Sequence, residues 1–237
     1  YSTGPAAYNA GTVASATTTL ANAPGTPTFG TPAATTLPIT INTNSNSAAT
    51  TYAIYIYNNI LSTYLDSAGA ATSTAVYYTS STWTATGAAT GLTANTAYQF
   101  WIVAKNGGDV VTASSSVGTA SSTLAVVPTT VTASANSATA ITVSWSGGTA
   151  TSYNVKKGTD DAITGQSSSY QYTGLTCGTS YTFKVLGVNA DGVATAYSDP
   201  AITASTNGCG GGTSGGSSPS VSVAPPPVVV STGAQSN

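Results

Sequence analysis

The sequence predicts an all-β fold organised as two similar units. Its strand-favouring residues are abundant: 14 Tyr stand beside many Thr, Val and Ile residues. The good helix formers Glu, Arg and Met are absent, and Lys is scarce. A second observation, an internal repeat, indicates that the chain folds as two copies of one pattern.

The repeat lies between residues 91–106, GLTANTAYQFWIVAKN, and residues 174–189, GLTCGTSYTFKVLGVN. Identical residues recur at one constant spacing, among them the Gly, Leu and Thr that open each segment. Tyr98, Phe100 and Ile102 alternate with other residues, which predicts a strand with one face in a core. Tyr181 and Phe183 repeat this pattern in the second segment.

A Leu-x-x-x-Thr-x-Tyr pattern precedes each of these strands. It comprises Leu92 and Tyr98 in the first unit and Leu175 and Tyr181 in the second. The pattern resembles the tyrosine corner of Greek-key sandwiches, in which the tyrosine hydroxyl bonds to the upstream backbone. We therefore predict structural tyrosine corners at Tyr98 and Tyr181.

The two units resemble fibronectin type III domains, as found in extracellular microbial surface and filament proteins. In the second unit ITVSW, ending at Trp145, resembles strand B with its buried Trp, and the repeated strands resemble strand F. The first unit lacks this Trp, so we expect Ile41 or a neighbour to fill its space, with Trp83 near strand E. The resemblance implies two tandem Greek-key sandwiches with extended terminal segments.

We divide the chain into four parts on this basis. They are an N-terminal extended segment (1–23), a first fibronectin type III-like domain (24–125), a second (126–207), and a Gly/Ser/Pro-rich linker with a β-prone tail (208–237). The N-terminal segment belongs to neither unit. The tail is expected to dock onto a neighbouring subunit or onto its own chain. Its β-prone residues, interpreted as an assembly tail, are Val221, Val223, Val228, Val229 and Val230.

The resemblance also implies a pairing for the two cysteines. Cys177 precedes strand F of the second domain, and Cys209 follows its strand G. These strands are antiparallel neighbours in the family, so an intradomain disulfide is expected, in keeping with an extracellular compartment. Two free thiols or an intermolecular bridge remain the alternatives.

The composition argues against several classes of function. The chain has four Lys, six Asp and no His, giving 4% charged residues, against about 25% in ordinary domains. A catalytic triad needs histidine, a nucleic-acid surface needs basic residues, and a zinc site needs more ligands. No stretch predicts a membrane span, and the start at Tyr1 suggests a processed, exported chain. We expect a protein that is not an enzyme and that holds no cofactor or metal.

The remaining polar and aromatic residues have structural interpretations. Asp109 and Asp191 follow the repeated strands and are expected to form turns, while Asp160 and Asp161 lie in a loop. Tyr55 and Tyr57 alternate with buried positions of their strand. They therefore form an outward stripe, interpreted as a subunit contact rather than a surface for stacking sugars.

The sequence thus favours a structural subunit of an extracellular filament, pilus, sheath or surface layer. Its partners would be copies of itself and, given the Ser and Thr content, O-linked glycans. The alternative is a spacer, or a carbohydrate- or adhesion-binding module, of a secreted multidomain protein.

Overall fold

The computed structural model describes residues 18–210 as seventeen strands and one short helix. The elements in chain order are β1 (Gly25–Phe29), β2 (Leu37–Asn42), β3 (Thr51–Tyr57), β4 (Ser62–Leu65), β5 (Ala71–Thr72), β6 (Tyr78–Thr79), α1 (Ser80–Thr86), β7 (Ala88–Ala89), β8 (Ala97–Lys105), β9 (Val111–Ser114), β10 (Ser121–Ser122), β11 (Thr130–Ala135), β12 (Ile141–Ser146), β13 (Ser152–Lys157), β14 (Ile163–Gln166), β15 (Ser169–Tyr172), β16 (Ser180–Val188) and β17 (Ile202–Ser205).

The first sandwich, called sandwich 1 below, is built by β1 to β10. Its smaller sheet has the strand order β1-β2-β7, and its larger sheet has the order β10-β8-β3-β4-β5. The central pair of the larger sheet, β3 and β8, is antiparallel and in register from Thr51 with Lys105 to Tyr57 with Gln99. The strand that carries the repeat therefore lies in the middle of the sheet.

The second sandwich, sandwich 2, is built by β11 to β17 with the same plan. A three-stranded sheet of order β11-β12-β15 faces a four-stranded sheet of order β14-β13-β16-β17. The repeated strand, β16, again pairs with the strand that follows the first hairpin, here β13. The prediction of an all-β chain with two tandem sandwiches is confirmed.

The alternating side chains of the two repeated strands are buried in the cores of the two sandwiches. In sandwich 1, Tyr98, Phe100 and Ile102 are at most 2% exposed, and in sandwich 2, Phe183 and Val185 are fully buried. Alternate residues of one strand point to the same face, so each repeated strand supplies a continuous inner stripe. Burial of such side chains contributes about 1.5–3 kcal/mol each.

The long connection after β3 contains the helix α1, which the sequence pattern did not predict. The helix ends at Thr86 and is capped by Gly87, whose backbone has φ 72° and whose N–H donates to the carbonyl of Trp83. Trp83 lies on this helix and is only 4% exposed in the core of sandwich 1. Ile41, at the strand-B Trp position, is only partly buried against that core.

Residues 18–23 contact sandwich 1, although the sequence pattern assigned them to neither unit. Ala21 packs against the core, and the backbone N–H of Asn22 donates to the Asn46 side-chain oxygen at 2.6 Å. The side-chain amide of Asn46 donates back to the Asn22 carbonyl at 2.8 Å. This short segment is therefore fastened to the loop between β2 and β3.

Candidate functional site

Each tyrosine of the repeat accepts a hydrogen bond from the backbone five residues upstream. The N–H of Thr93 donates to the Tyr98 hydroxyl at 2.9 Å, and the N–H of Thr176 donates to the Tyr181 hydroxyl at 2.9 Å. Leu92 and Leu175 lie buried beside them. This geometry ties the turn before each central strand to the tyrosine of that strand.

Cys177 and Cys209 form a disulfide with a Cα–Cα distance of 5.0 Å. The bond joins the turn before β16 to the chain just after β17. The N–H of Gly178 also donates to the Asn207 carbonyl at 2.9 Å. The end of sandwich 2 is thereby closed covalently.

Three of the four lysines form surface ion pairs within their own sandwich. Their partners lie nearby: Lys105 pairs with Asp109, Lys157 with Asp160 and Lys184 with Asp199. The fourth, Lys156, has its ammonium 5.0 Å from the centre of the Tyr197 ring. Exposed pairs of this kind contribute about 0–1 kcal/mol, and they leave no basic patch on the described residues.

An aromatic row crosses the outer face of the larger sheet of sandwich 1. The Tyr55 ring stacks on Trp101 with centroids 4.4 Å apart and meets Tyr64 edge-on at 4.9 Å. The row follows the strand register, because Tyr55 is the direct partner of both residues. Tyr57 continues the outward stripe and is 36% exposed.

The junction between the two sandwiches is the most connected polar site in the described part of the chain. Asn95, in the turn before β8, reaches across to sandwich 2 with both ends of its amide. Its nitrogen donates to the Thr149 carbonyl at 2.7 Å, and its oxygen accepts the N–H of Ala190 at 3.1 Å. Its backbone has φ 49°, a conformation that Asn tolerates better than most residues.

Asn189 and Asp191 reach back from sandwich 2 to the end of sandwich 1. The Asn189 amide donates to the carbonyls of Ser122 at 3.3 Å and Thr123 at 3.1 Å. The Asp191 carboxylate accepts the N–H of Ser122 at 2.6 Å. Because Asn189 is only 3% exposed, its hydrogen bonds are largely shielded from water and would be costly to leave unmade.

The linker between the sandwiches packs closely against β16. A Cβ at Gly187 would lie 2.8 Å from the Cβ of Ala150 and 3.4 Å from that of Ala125. The N–H of Val126 donates to the Thr149 hydroxyl at 2.9 Å. Glycine at position 187 thus allows the linker to approach the backbone of β16. At the matching position of its own repeat strand, sandwich 1 has the buried Ala104.

Sequence reasoning identified Asp191 as a turn former but missed its contact across the junction. Asn95 was not singled out, and Asn189 was noted only as the repeat counterpart of Asn106. The available signal was a difference between the repeats: Asn95 is replaced by Gly178 at the matching position. Both residues have a positive φ. The turn therefore requires a residue that tolerates this conformation, but it does not explain why position 95 has Asn rather than Gly.

Several sequence predictions stay without a structural test. Val221, Val223, Val228, Val229 and Val230 lie outside the described residues. Within residues 18–210 no group of three His, Cys, Asp or Glu side chains is placed to hold a metal ion. That same stretch contains no helix with the length and apolar character needed to cross a membrane.

Comparison with known families gives one match: residues 126–204 match the model of the fibronectin type III domain. No similar protein was found among curated sequences. Solved structures with a similar fold include a two-domain fibronectin type III segment of chicken tenascin. It is 18% identical, with a TM-score of 0.45, and the match covers 78% of this chain and all of that one.

Two further structures are similar at the level of the fold. The sixth fibronectin type III domain of a human fibronectin type III domain-containing protein is 24% identical, with a TM-score of 0.32, over 40% of this chain and 97% of that one. The FN1–FN3 segment of chicken CNTN1 is 15% identical, with a TM-score of 0.37, over 78% and 67%.

The family match and the sheet topology agree with each other. Both sandwiches have a three-stranded sheet, and the strands β4-β3-β8-β10 in the larger sheet of sandwich 1 follow the order β14-β13-β16-β17 of sandwich 2. Residues 126–204 therefore match the fibronectin type III domain both in sequence and in fold, and sandwich 1 is a second sandwich of the same fold in tandem with sandwich 2.

Proposed function

We propose that this chain is an extracellular structural module whose two sandwiches act as one rigid spacer. The junction is the observation that carries the proposal. Tandem domains move relative to one another unless their interface ties them together. Here the side chains of Asn95, Asn189 and Asp191 bind across the boundary in both directions.

The remaining features are consistent with a structural module rather than a catalytic one. The tyrosine turns and the disulfide fix the two sandwiches, and disulfides persist in oxidising compartments. Three of the lysines and three of the aspartates form exposed local pairs. This arrangement supplies shape and stiffness, and it favours a spacer or adhesion module.

Replacing Asn95 by Gly tests the proposal directly. Glycine accepts the positive φ, so the turn is kept. The hydrogen bonds of the amide to Thr149, to the Thr151 hydroxyl and to Ala190 are all lost. We expect both sandwiches to keep their fold while their relative orientation broadens. Residual dipolar couplings measure this: a single alignment tensor should describe the native pair and two tensors the variant.

Asp109→Gly is the matched control. Asp109 also has a positive φ, 61°, but it lies in a turn of sandwich 1 and pairs only with Lys105. This variant should keep one tensor. Two independent tensors in the native protein would refute the rigid-spacer proposal.

A second candidate function is a subunit of an extracellular filament or surface layer. The charge-poor composition favours it, because faces without charge pack together with little desolvation cost. Exposed apolar side chains add to this, among them Ile60 at 95% and Val117 at 51%. Assembly of this kind should persist at high salt, since little charge is available for screening.

Negative-stain microscopy of the full chain tests the second candidate. Filaments that survive both high salt and mild acid would support it, and deletion of residues 210–237 should then abolish them. Particles of one two-domain size under all conditions would contradict it, while leaving the spacer proposal intact.

A further inference from the structure

The first residues that the structure describes repeat the linker between the two sandwiches. Residues 18–24 read TTLANAP, and residues 122–128 read STLAVVP. The two segments end at Pro24 and Pro128. The distance between them along the chain is longer than the distance between the two copies of the strand repeat. Both prolines are buried.

The two segments make the same contacts with the sandwich that follows each of them. The Asn189 amide donates to the Thr123 carbonyl at 3.1 Å, and the Asn106 amide donates to the Thr19 carbonyl at 2.9 Å. Asn106 and Asn189 are matching residues of the strand repeat. The same side chain therefore holds the same linker position in both sandwiches.

A second hydrogen bond is repeated on the opposite side of the segment. Val126 donates its N–H to the Thr149 hydroxyl at 2.9 Å, and the matching Asn22 donates its N–H to the Asn46 side-chain oxygen at 2.6 Å. In both cases the acceptor belongs to the loop that joins the second and third strands of the sandwich.

The packing is repeated as well. Ala125 is buried at the junction, and the matching Ala21 packs against the core of sandwich 1. A Cβ at Gly108 would clash with the Thr18 hydroxyl oxygen. Gly108 matches Asp191, which contacts Ser122 at the tandem junction, and Thr18 matches Ser122.

The two segments differ in how deeply the sandwich on their N-terminal side buries them. Ser122 and Thr123 are fully buried at the tandem junction, because they also close sandwich 1. The matching Thr18 and Thr19 are exposed. Leu20 is 66% exposed, whereas the matching Leu124 is partly buried and donates its N–H to the Ala33 carbonyl of sandwich 1 at 2.9 Å.

We propose that the end of sandwich 1 that holds residues 18–24 is a docking surface for a preceding sandwich of the same kind, which covers Leu20. An open cleft of about 760 Å³ lies at this end, lined in part by Leu20, Asn46 and Asn106. In the docked arrangement this cleft would hold a turn of the preceding sandwich, namely the turn that contains its counterpart of Asn95.

The far end of sandwich 2 does not fit this surface. It has Gly178 in place of Asn95, and Asn207 and Gly208 in place of Leu124 and Ala125. Its last residues are also bound to the turn before β16 by the disulfide. The occupant is therefore a sandwich that ends as sandwich 1 does, and not sandwich 2 of a second copy.

A fusion tests this inference on the full chain. Residues 1–17 are replaced by a second copy of residues 24–121, so that the added sandwich leads directly into Thr18. We expect the added sandwich and sandwich 1 to share one alignment tensor in residual dipolar couplings. The Leu20 methyl groups should become as protected from a soluble paramagnetic probe as those of Leu124.

Two donor variants make the test specific. Asn95→Gly in the added copy only should separate the tensors. A donor made of residues 128–204, with Cys177→Ala because it lacks Cys209, should tumble independently. A second version of the fusion, whose added copy begins at residue 18, keeps the native contacts of that copy in case the shorter one does not fold.

Independent tumbling of the folded fusion, with Leu20 still exposed, would overturn the inference. Equal docking by residues 128–204 would overturn the identity of the occupant in favour of a second copy. The inference does not rest on the proposed function, because the Asn95→Gly variant of the native junction and the fusion report on different boundaries.

Discussion

The indole N–H of Trp83 donates a hydrogen bond to the main-chain carbonyl of Tyr52 at 2.7 Å, inside the core of sandwich 1. Trp83 also meets the Tyr78 ring edge-on at 5.5 Å. Sandwich 2 fills its core with Trp145 of strand β12 instead. The two sandwiches thus place a buried indole by different routes, one on a strand and the other on a helix inserted in a long connection.

Truncating Trp83 should destabilise sandwich 1. Trp83→Ala removes a buried aromatic side chain, for which losses of about 3–5 kcal/mol are typical. Trp83→Phe keeps a ring but leaves the Tyr52 carbonyl without its donor, at a cost of about 1–3 kcal/mol. Denaturant unfolding measures both; Trp101→Phe on the outer face is the control and should cost less. Equal losses at positions 83 and 101 would contradict this assignment.

Gly187→Ala should disturb the junction. The new Cβ would lie 2.8 Å from the Cβ of Ala150, and overpacking of this kind costs about 1–3 kcal/mol. Gly107→Ala is the control, because nothing lies within 4 Å of a Cβ at that position. Equilibrium unfolding should show a loss for the first variant alone. An unchanged Gly187→Ala protein would mean that the linker is not packed against β16.

Removal of the disulfide should destabilise sandwich 2 and leave sandwich 1 unchanged. Cys177 and Cys209 are separated by 32 residues, for which the chain-entropy estimate is about 3–4 kcal/mol. The double variant Cys177→Ala/Cys209→Ala can be compared with the oxidised native protein by thermal unfolding. A shift of both transitions by the same amount would indicate that the two sandwiches unfold as one unit.

Alkaline pH should weaken sandwich 2 through Tyr172. Burial, together with the nearby Tyr170, raises the pKa of Tyr172 from 10.0 to about 12. The unfolded tyrosine loses its proton at the lower value, so between these values the folded state binds more protons. The free energy of unfolding should therefore be independent of this group below pH 10 and fall between pH 10 and about 12.

Tyr172→Phe provides the comparison for that titration. The Tyr172 hydroxyl is buried, and no described residue offers it a hydrogen-bond partner. Its loss should therefore cost little at neutral pH and flatten the alkaline decline. Parallel pH profiles of the native protein and the variant would show that other tyrosines cause the decline.

The strand repeat made much of the fold predictable. Tyr98 and Tyr181 mark the same turn in two sandwiches, and a period of two in the following residues defines which face is buried. The helix α1 was not predictable in this way, because its seven residues, SSTWTAT, are mostly Ser and Thr and have no strong helix-forming pattern. Tertiary packing of Trp83 accounts for its place in the fold.

The junction escaped sequence reasoning for a different reason. Asn189 forms a turn with its side-chain oxygen, which accepts the N–H groups of Asp191 and Val193. That local role was enough to explain why Asn stands at this position. The hydrogen bonds of its side-chain nitrogen across the junction depend on where the other sandwich lies, which the sequence pattern does not show. The recurrence of TTLANAP as STLAVVP was visible in the sequence, but it acquires meaning only when Asn106 and Asn189 are seen to hold the two segments alike.

The disulfide at the end of sandwich 2 also decides which strands can bear mechanical load. Tension applied to the chain beyond Cys209 passes through the covalent bond to Cys177 and from there toward the N-terminus. The intervening strands β16 and β17 lie outside this line of force and cannot be extended while the bond is intact. A stretched protein would lengthen through β11 to β15 and sandwich 1, and the residues between the two cysteines would add no length until the disulfide is reduced.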